Sequence, residues 1–279
     1  MSLRRPNYLK KKDKIAILST ARKISKLELE FAINLLEEWG LEVVLGASIG
    51  EEYHQFAGDD KFRAHDFQEH LDRSDIQAIL FARGGYGSIR IMDYLDFTAF
   101  TKNPKWLIGY SDITIIHALV NNYLGIQSIH ASMPINFAGN TKQSLESLRK
   151  ALFGEKLSLS FERSSLNREG EIKGEIIGGN LSILYSLLGT KSSFNSDNKI
   201  LFIEDLDEYL YHVDRMFLAL KRANKLNQIK ALIVGGMSDM KDNAIAFGST
   251  AEEIILEHCK EFDFPICFNA PYGHLSDNQ

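Results

Sequence analysis

The chain has 279 residues, room for about two ordinary domains of ~100 to 200 residues each. Hydrophobic residues make up 44%, charged residues 25%, and there are only 5 prolines, which excludes disordered, collagen-like and low-complexity classes. With 32 Lys and Arg against 37 Asp and Glu the formal charge is −5, so there is no positive excess with which to displace counterions, and no nucleic-acid partner is expected.

The chain opens on its one concentrated basic stretch, Arg4, Arg5, Lys10, Lys11, Lys12 and Lys14. It lacks the apolar segment of a secretory signal and reads as a solvated arm. The run KIAILST from Lys14 to Thr20 reads as a buried strand. Ser25 and Glu28 then have the S-x-x-E spacing of a capping box, which starts a helix ending at Gly40. A strand from Glu42 to Leu45 comes next. Further on are a polar helix near Asp60 to Leu71, a strand from Ala78 to Ala82, a helix from Gly87 to Leu95 and a strand from Lys105 to Gly109. A helix from Asp112 to Leu124 and a strand from Ile126 to His130 complete the first half. Short apolar runs alternating with amphipathic stretches are the pattern of βα units feeding a parallel sheet, so the class is α/β.

Ala138 to Gly170 breaks this rhythm with a lone helix from Thr141 to Phe153, the alternating run LSLSF and the polar segment ERSSLNREGE, which reads as a linker. The expected organisation is a domain over residues 1–137, a linker region over 138–170 and a smaller α/β domain over 171–279. Strands are expected in the last of these from Lys173 to Ile177, Lys199 to Ile203, Ala231 to Val234 and Pro265 to Asn269. Helices are expected from Asn180 to Leu188, Glu208 to Ala223 and Thr250 to Glu261. No apolar run approaches the ~18 residues that cross a bilayer, so no membrane role and a soluble, cytoplasmic protein are expected. Cys259 and Cys267 match neither a CxxC metal pair nor a disulfide framework, and read as buried thiols in a reducing compartment.

Ligands of open parallel sheets bind beyond the carboxyl ends of the strands. Two motifs lie there in the first half. Arg83-Gly84-Gly85-Tyr86-Gly87-Ser88 joins a strand to a helix and is either a plain tight turn or a cradle of backbone amides for an anion or a carbonyl oxygen. It is neither G-x-G-x-x-G nor a Walker loop, so no nucleotide cofactor is expected. Gly109-Tyr110-Ser111-Asp112 has half of a G-x-S-x-G elbow, with Ile113 in place of the second glycine. Ser111 is therefore either an exposed nucleophile or, with Asp112, an N-cap for the following helix.

A serine nucleophile needs a base oriented by a carboxylate. Of the 8 histidines, His274, in a loop just past a strand, is placed best. His54, His65 and His70 fall in polar sequence, His117, His212 and His258 lie within helices, and His130 ends a strand. The strand KILFIED brings Glu204 and Asp205 to its end. Asp207 and Glu208 read as acids of a helix's first turn. A metal site from His54, Asp59, Asp60, His65 and Asp66 lacks HExxH spacing, and the acids from Glu204 to Glu208 do not show two carboxylates placed across a sugar bond.

Five motifs in order, ARGGYGSIRIMDYLDF, NPKWLIGYSDIT, IIGGNLSIL, LFIEDLDEYLYHVDRM and NAPYGHLSDN, resemble those of the LD-carboxypeptidase family of serine peptidases, which includes muramoyltetrapeptide carboxypeptidases and microcin C immunity proteins. The resemblance implies an N-terminal flavodoxin-like or amidotransferase-like domain and a C-terminal swivelling α/β domain. It also implies a Ser-His-Glu triad of Ser111, His274 and Glu204, with the amides of Gly85 and Asp112 as oxyanion hole and Gly84 and Asn180 at the substrate. Release of a terminal D-alanine from cell-wall tetrapeptides follows from it, without metal or cofactor, in a homodimer. The alternatives are immunity-type hydrolysis of a peptidyl-nucleotide antibiotic on the same triad and a noncatalytic binding homologue; Trp39 and Trp106 read as packing residues, not base-stacking ones. The chain departs from the family's pattern at Ser19-Thr20-Ala21, where members often have a Pro-Ser turn. It departs again at its end, since five residues follow His274, which puts the base near a free end.

Overall fold

Five strands of the first half form one parallel sheet: β1 (Lys14–Leu18), β2 (Glu42–Leu45), β3 (Ile76–Phe81), β4 (Trp106–Gly109) and β5 (Ile129–His130). The computed structural model describes residues 3–279 and divides into two units, the first running to Ser158 and the second spanning Leu159–Asn278. In the first unit the sheet order is β2-β1-β3-β4-β5, with every pairing parallel, as in Ile17 opposite Leu80 and Gly109 opposite His130. This is the flavodoxin-like order, and it makes the carboxyl ends of β1 and β3 the switch point where the connections diverge.

Alternation along each strand sends successive side chains to opposite faces. Ile15, Ile17, Ala78, Leu80, Trp106 and Ile108 share a core with α1 (Glu30–Glu38) through Ala32 and Leu36, and with α6 (Lys142–Phe153) through Leu148 and Leu152. On the other face Phe81 meets Phe67 of α2 (Asp60–Asp72) edge to face at 5.2 Å. Each such side chain, fully buried, contributes about 1.5 to 3 kcal/mol.

The Ser25–Glu28 box forms, the Glu28 carboxylate accepting from the Ser25 amide at 2.8 Å and from its hydroxyl at 2.7 Å. It opens a 3-10 turn over Leu27–Leu29 before α1 begins. The helix expected from Gly87 is short, α3 (Ser88–Ile91) followed by a 3-10 turn, and Thr98–Lys102 forms a further helix, α4, that the pattern did not announce. α5 is Thr114–Asn122.

Two expectations are corrected. The basic arm is docked, not solvated: Pro6 and Leu9 are buried, Arg4 pairs with Ile126, and the Trp106 indole donates to the Asn7 carbonyl at 2.9 Å. The apolar side chains between the charges hold it there. The helix expected from Thr141 to Phe153 forms as α6, which Thr141 caps and Gly154 ends at φ 76°, but it packs in the first unit's core and not apart in a linker. LSLSF, beyond α6, forms no strand.

In the second unit β6 (Ile176–Asn180), β7 (Ile200–Leu206), β8 (Ala231–Ser238) and β9 (Ile266–Cys267) form a parallel sheet in that order. Leu201, Ile203, Leu232, Val234 and Phe268 pack against α7 (Leu181–Ser186), α8 (Leu210–Arg222) and α9 (Ala251–His258). β6 begins later than expected and takes in the Gly-Gly-Asn motif. Gly178, at φ +140°, lies against the Phe202 carbonyl where no Cβ fits, so glycine is what lets this strand pair with β7.

Candidate active site

In the first unit the chain leaves β4 through Gly109, where a Cβ would meet Ile113 Cγ1 at 2.9 Å. That close approach turns the chain sharply and leaves Ser111 at φ 60°, a left-handed conformation that disfavours any side chain with a Cβ. Ser111–Ile113 forms a 3-10 turn leading into α5, with Tyr110 at its N-cap and no side-chain cap bond. The capping alternative for Ser111 is therefore set aside. Asp112, second in that turn, has an amide with no carbonyl one turn earlier to donate to. Gly84 flanks the serine, its Cβ position lying 3.4 Å from Ser111 Cβ and 3.5 Å from Asp112 Cβ.

The Asp112 side chain does cap a helix, but a different one: Oδ2 accepts from the Ser88 amide at 2.8 Å, tying the serine turn to the start of α3 and so to the glycine loop. Burial raises the Asp112 pKa, against the pull of the Ser88 hydrogen bonds and the charges of Arg63 and Arg22. A fully buried Arg63 completes the scaffold, donating to the Gly58, Thr20 and Gly87 carbonyls and pairing with Asp60. Sequence reading missed it because a polar helix predicts an exposed arginine; the signal available was its position four residues after the capping Asp59.

In the second unit Glu204, two residues before the end of β7, is 0% exposed. Its Oε2 bonds His274 Nδ1 at 2.7 Å, across 70 residues of sequence. Burial lowers the His274 pKa, but the hydrogen bond and charge of Glu204 together with the charge of Asp205 outweigh it, and the net shift is upward. The loop carrying His274 is anchored: the Gly273 amide donates to Asn278 Oδ1 at 2.9 Å and the Ser238 hydroxyl to the His274 carbonyl at 3.0 Å. The expectation of a histidine near a loose end is corrected by these bonds.

Asp205, the next residue on β7, accepts from Asn180 Nδ2 at 2.8 Å and from the Ser182 amide at 2.9 Å. It thereby fixes the Gly-Gly-Asn turn beside Glu204, which pairs with Asn180 in the sheet. Burial, then the neighbouring Glu204 charge, push Asp205 up to about 7.

Four of the other histidines and several of the acids have structural partners. His117 is held between Ser128 Oγ and the Gly109 carbonyl, and burial depresses it to about 4. His70 bonds the Asp66 carbonyl. His212 of α8 pairs with Glu208, in the loop after β7, and His258 of α9 with Asp214 of α8; their acids are 21% and 40% exposed, unlike Glu204. Asp207 pairs with Lys241. Of the acids in the imagined metal cluster, Asp59 caps α2, Asp60 binds Arg63 and Arg90, and Asp66 accepts the Ala47 and Ser48 amides. The structure therefore brings Gly84, Ser111 and Asp112 together in the first unit, and Asn180, Glu204 and His274 in the second. Gly85, at φ +111°, lies next in the glycine loop.

The chain thus has two α/β units, one with a strained serine between strand and helix and the other with a buried glutamate bonded to a histidine. The LD-carboxypeptidase N-terminal domain model matches residues 15–131 and the C-terminal domain model residues 173–279. The chain belongs to the LD-carboxypeptidase family. Among curated relatives, a probable murein peptide carboxypeptidase of Bacillus subtilis is 35% identical over 82% of this chain and 74% of its own. Among solved structures, a muramoyltetrapeptide carboxypeptidase from Oxalobacter formigenes superposes with a TM-score of 0.86 at 26% identity, covering 95% of this chain and 90% of that one. The microcin C7 self-immunity protein MccF, as an inactive mutant in the apo state, gives 0.83 at 25% identity over 96% and 90%. The α/β class and two-domain architecture agree with the sequence reading, and carboxypeptidase is the enzyme class of this chain.

Proposed function

We propose that the chain is a serine-type enzyme that hydrolyses the bond between an L-centre and a terminal D-amino acid in cell-wall tetrapeptides, releasing D-alanine. The observation that carries this reading is the 2.7 Å bond between His274 Nδ1 and a fully buried Glu204. That bond fixes the tautomer which leaves Nε2 unprotonated and able to accept a proton. Ser111 Oγ would attack the scissile carbonyl and pass its proton to His274. The amides of Gly85 and Asp112 would hold the oxyanion. Imidazolium would then protonate the leaving amine, freeing the D-amino acid and an acyl-serine. A water, deprotonated by His274, would return the serine. Gly84 and Asn180 would line the substrate.

Loss of Ser111 should remove nearly all turnover, whereas loss of one oxyanion donor typically costs ~10²- to 10³-fold. The experiment is D-alanine release from an L,D-tetrapeptide by the parent and by Ser111→Ala. Hydrolysis by the variant at the parent rate would sink the mechanism, and absence of parent activity on tetrapeptide would sink the substrate.

A further inference from the structure

A carboxypeptidase has to distinguish the free carboxylate of the residue it releases from a continuing peptide. An unpaired cation at the right distance from the nucleophile does this most directly, because a guanidinium offers a planar fork that matches a carboxylate. The cations near the glycine loop are few, and most are already engaged. Arg63 is spent on three carbonyls and Asp60. Arg90 is paired with Asp60 and Lys23 with Glu52, and the half-buried Arg83 donates to the Lys23 carbonyl at 3.1 Å, its Nε buried with no hydrogen-bond partner. Arg22 differs: it is exposed, and among the described residues no carboxylate bridges to it.

Its backbone is held in place, the Ser19 hydroxyl donating to the Arg22 carbonyl at 2.7 Å and residue 22 bridging to Phe56. This is the loop that follows β1, while Gly84 and Gly85 follow β3, so the arginine lies at the switch point of the sheet. The side chain lies across Gly85, where a Cβ would fall 2.7 Å from both Arg22 Cδ and Nε. On the other side of the dipeptide, the Cβ position of Gly84 is 3.4 Å from Ser111 Cβ. Arg22 thus rests on Gly85, and Ser111 on the adjacent Gly84. In a substrate, the carboxylate carbon of the leaving residue stands three bonds from the carbonyl carbon under attack, within ~4 Å, about the length of one peptide unit. A long, flexible cation resting on the glycine next to the one that touches the serine can reach such a group.

We infer that Arg22 is a specificity-determining residue that binds the terminal carboxylate of the substrate across Gly85. The inference rests on the serine-peptidase reading above. Gly85 then has two tasks: its amide faces the oxyanion, and its missing side chain leaves room for the arginine stem.

The test compares an L,D-tetrapeptide ending in a free carboxylate with the same peptide as its C-terminal carboxamide, using the parent, Arg22→Ala and Arg22→Lys. Removing a hydrogen-bonded charge partner should lower kcat/KM on the acid about 10- to 150-fold. The loss should fall mainly in KM, because the carboxylate is held alike in ground and transition states. Activity on the carboxamide should change little, so the acid-to-amide preference collapses in Arg22→Ala and is partly kept in Arg22→Lys. A parent-like preference in Arg22→Ala overturns the inference while leaving the catalytic reading intact.

If Ser111→Ala shows instead that the catalytic reading has failed, calorimetric binding of the two peptides decides Arg22 separately. Loss of acid-over-amide preference on adding Arg22→Ala supports it. Retained preference, or no binding of either peptide, overturns it.

Discussion

Replacing Glu204 with glutamine tests the pair at the centre of the mechanism with almost no change in volume. The parent carboxylate sits 2.7 Å from His274 Nδ1 and is 0% exposed, so water cannot make good what the mutation removes. A hydrogen bond to a charged group is worth about 1.5 to 3 kcal/mol, and its loss alone should lower kcat/KM about 10- to 150-fold. Where the amide group also selects the wrong tautomer, the loss approaches ~10⁴.

The pH dependence gives an independent sign. Burial lowers the His274 pKa, and the hydrogen bond and charge of Glu204, with the charge of Asp205, lift it above its ordinary 6.5. A general base works only when neutral, so parent kcat/KM should rise with pH through an inflection above 6.5. In Glu204→Gln two of the three lifting effects are gone while burial remains, and the inflection should move to lower pH. The variant is thus least impaired, relative to the parent, on the acid side. The assay is kcat/KM for D-alanine release across pH, with circular dichroism confirming the fold. An inflection that stays put or rises, or a plateau within about threefold of the parent, would refute the assignment, since an ordinary 0.65 kcal/mol change would then be all the pair contributes.

Two further outcomes concern the backbone. Ser111 at φ 60° carries a left-handed cost of about 1 to 2 kcal/mol that glycine escapes. Ser111→Gly should therefore exceed Ser111→Ala in unfolding free energy by about 1 kcal/mol in urea titrations, both being inactive; equal stabilities would mean the turn is relaxed. Gly273, at φ +100°, would place a Cβ 2.5 Å from Glu204 Oε2. Gly273→Ala should separate the pair and cost at least about 1 kcal/mol of stability together with a marked fall in kcat, and an unimpaired variant would contradict the close packing of this loop on Glu204.

The α/β class, most element positions and the candidates Ser111, Glu204 and His274 were legible in the sequence. Strand-forming runs, glycine turns and strand-end motifs are local patterns that depend on few distant residues. Boundaries failed where a partner decides them: the strand expected from Lys173 to Ile177 begins at Ile176 and runs on to Asn180, because Gly178 can lie against Phe202. The basic arm looked solvated because charge dominates its composition, while two buried apolar side chains, Pro6 and Leu9, decide its position.

Which chemistry the chain carries was thus set by residue type and local spacing. What those residues can do was set by tertiary contacts. Glu204 meets His274 across 70 residues, Asp112 spends its side chain on α3 and not on its own helix, Arg63 joins three loops from inside a polar helix, and Arg22 comes to rest on Gly85. Hydrogen bonds and burial depend on separations in space, and a one-dimensional pattern encodes those only once the sheet order has folded the strand ends together.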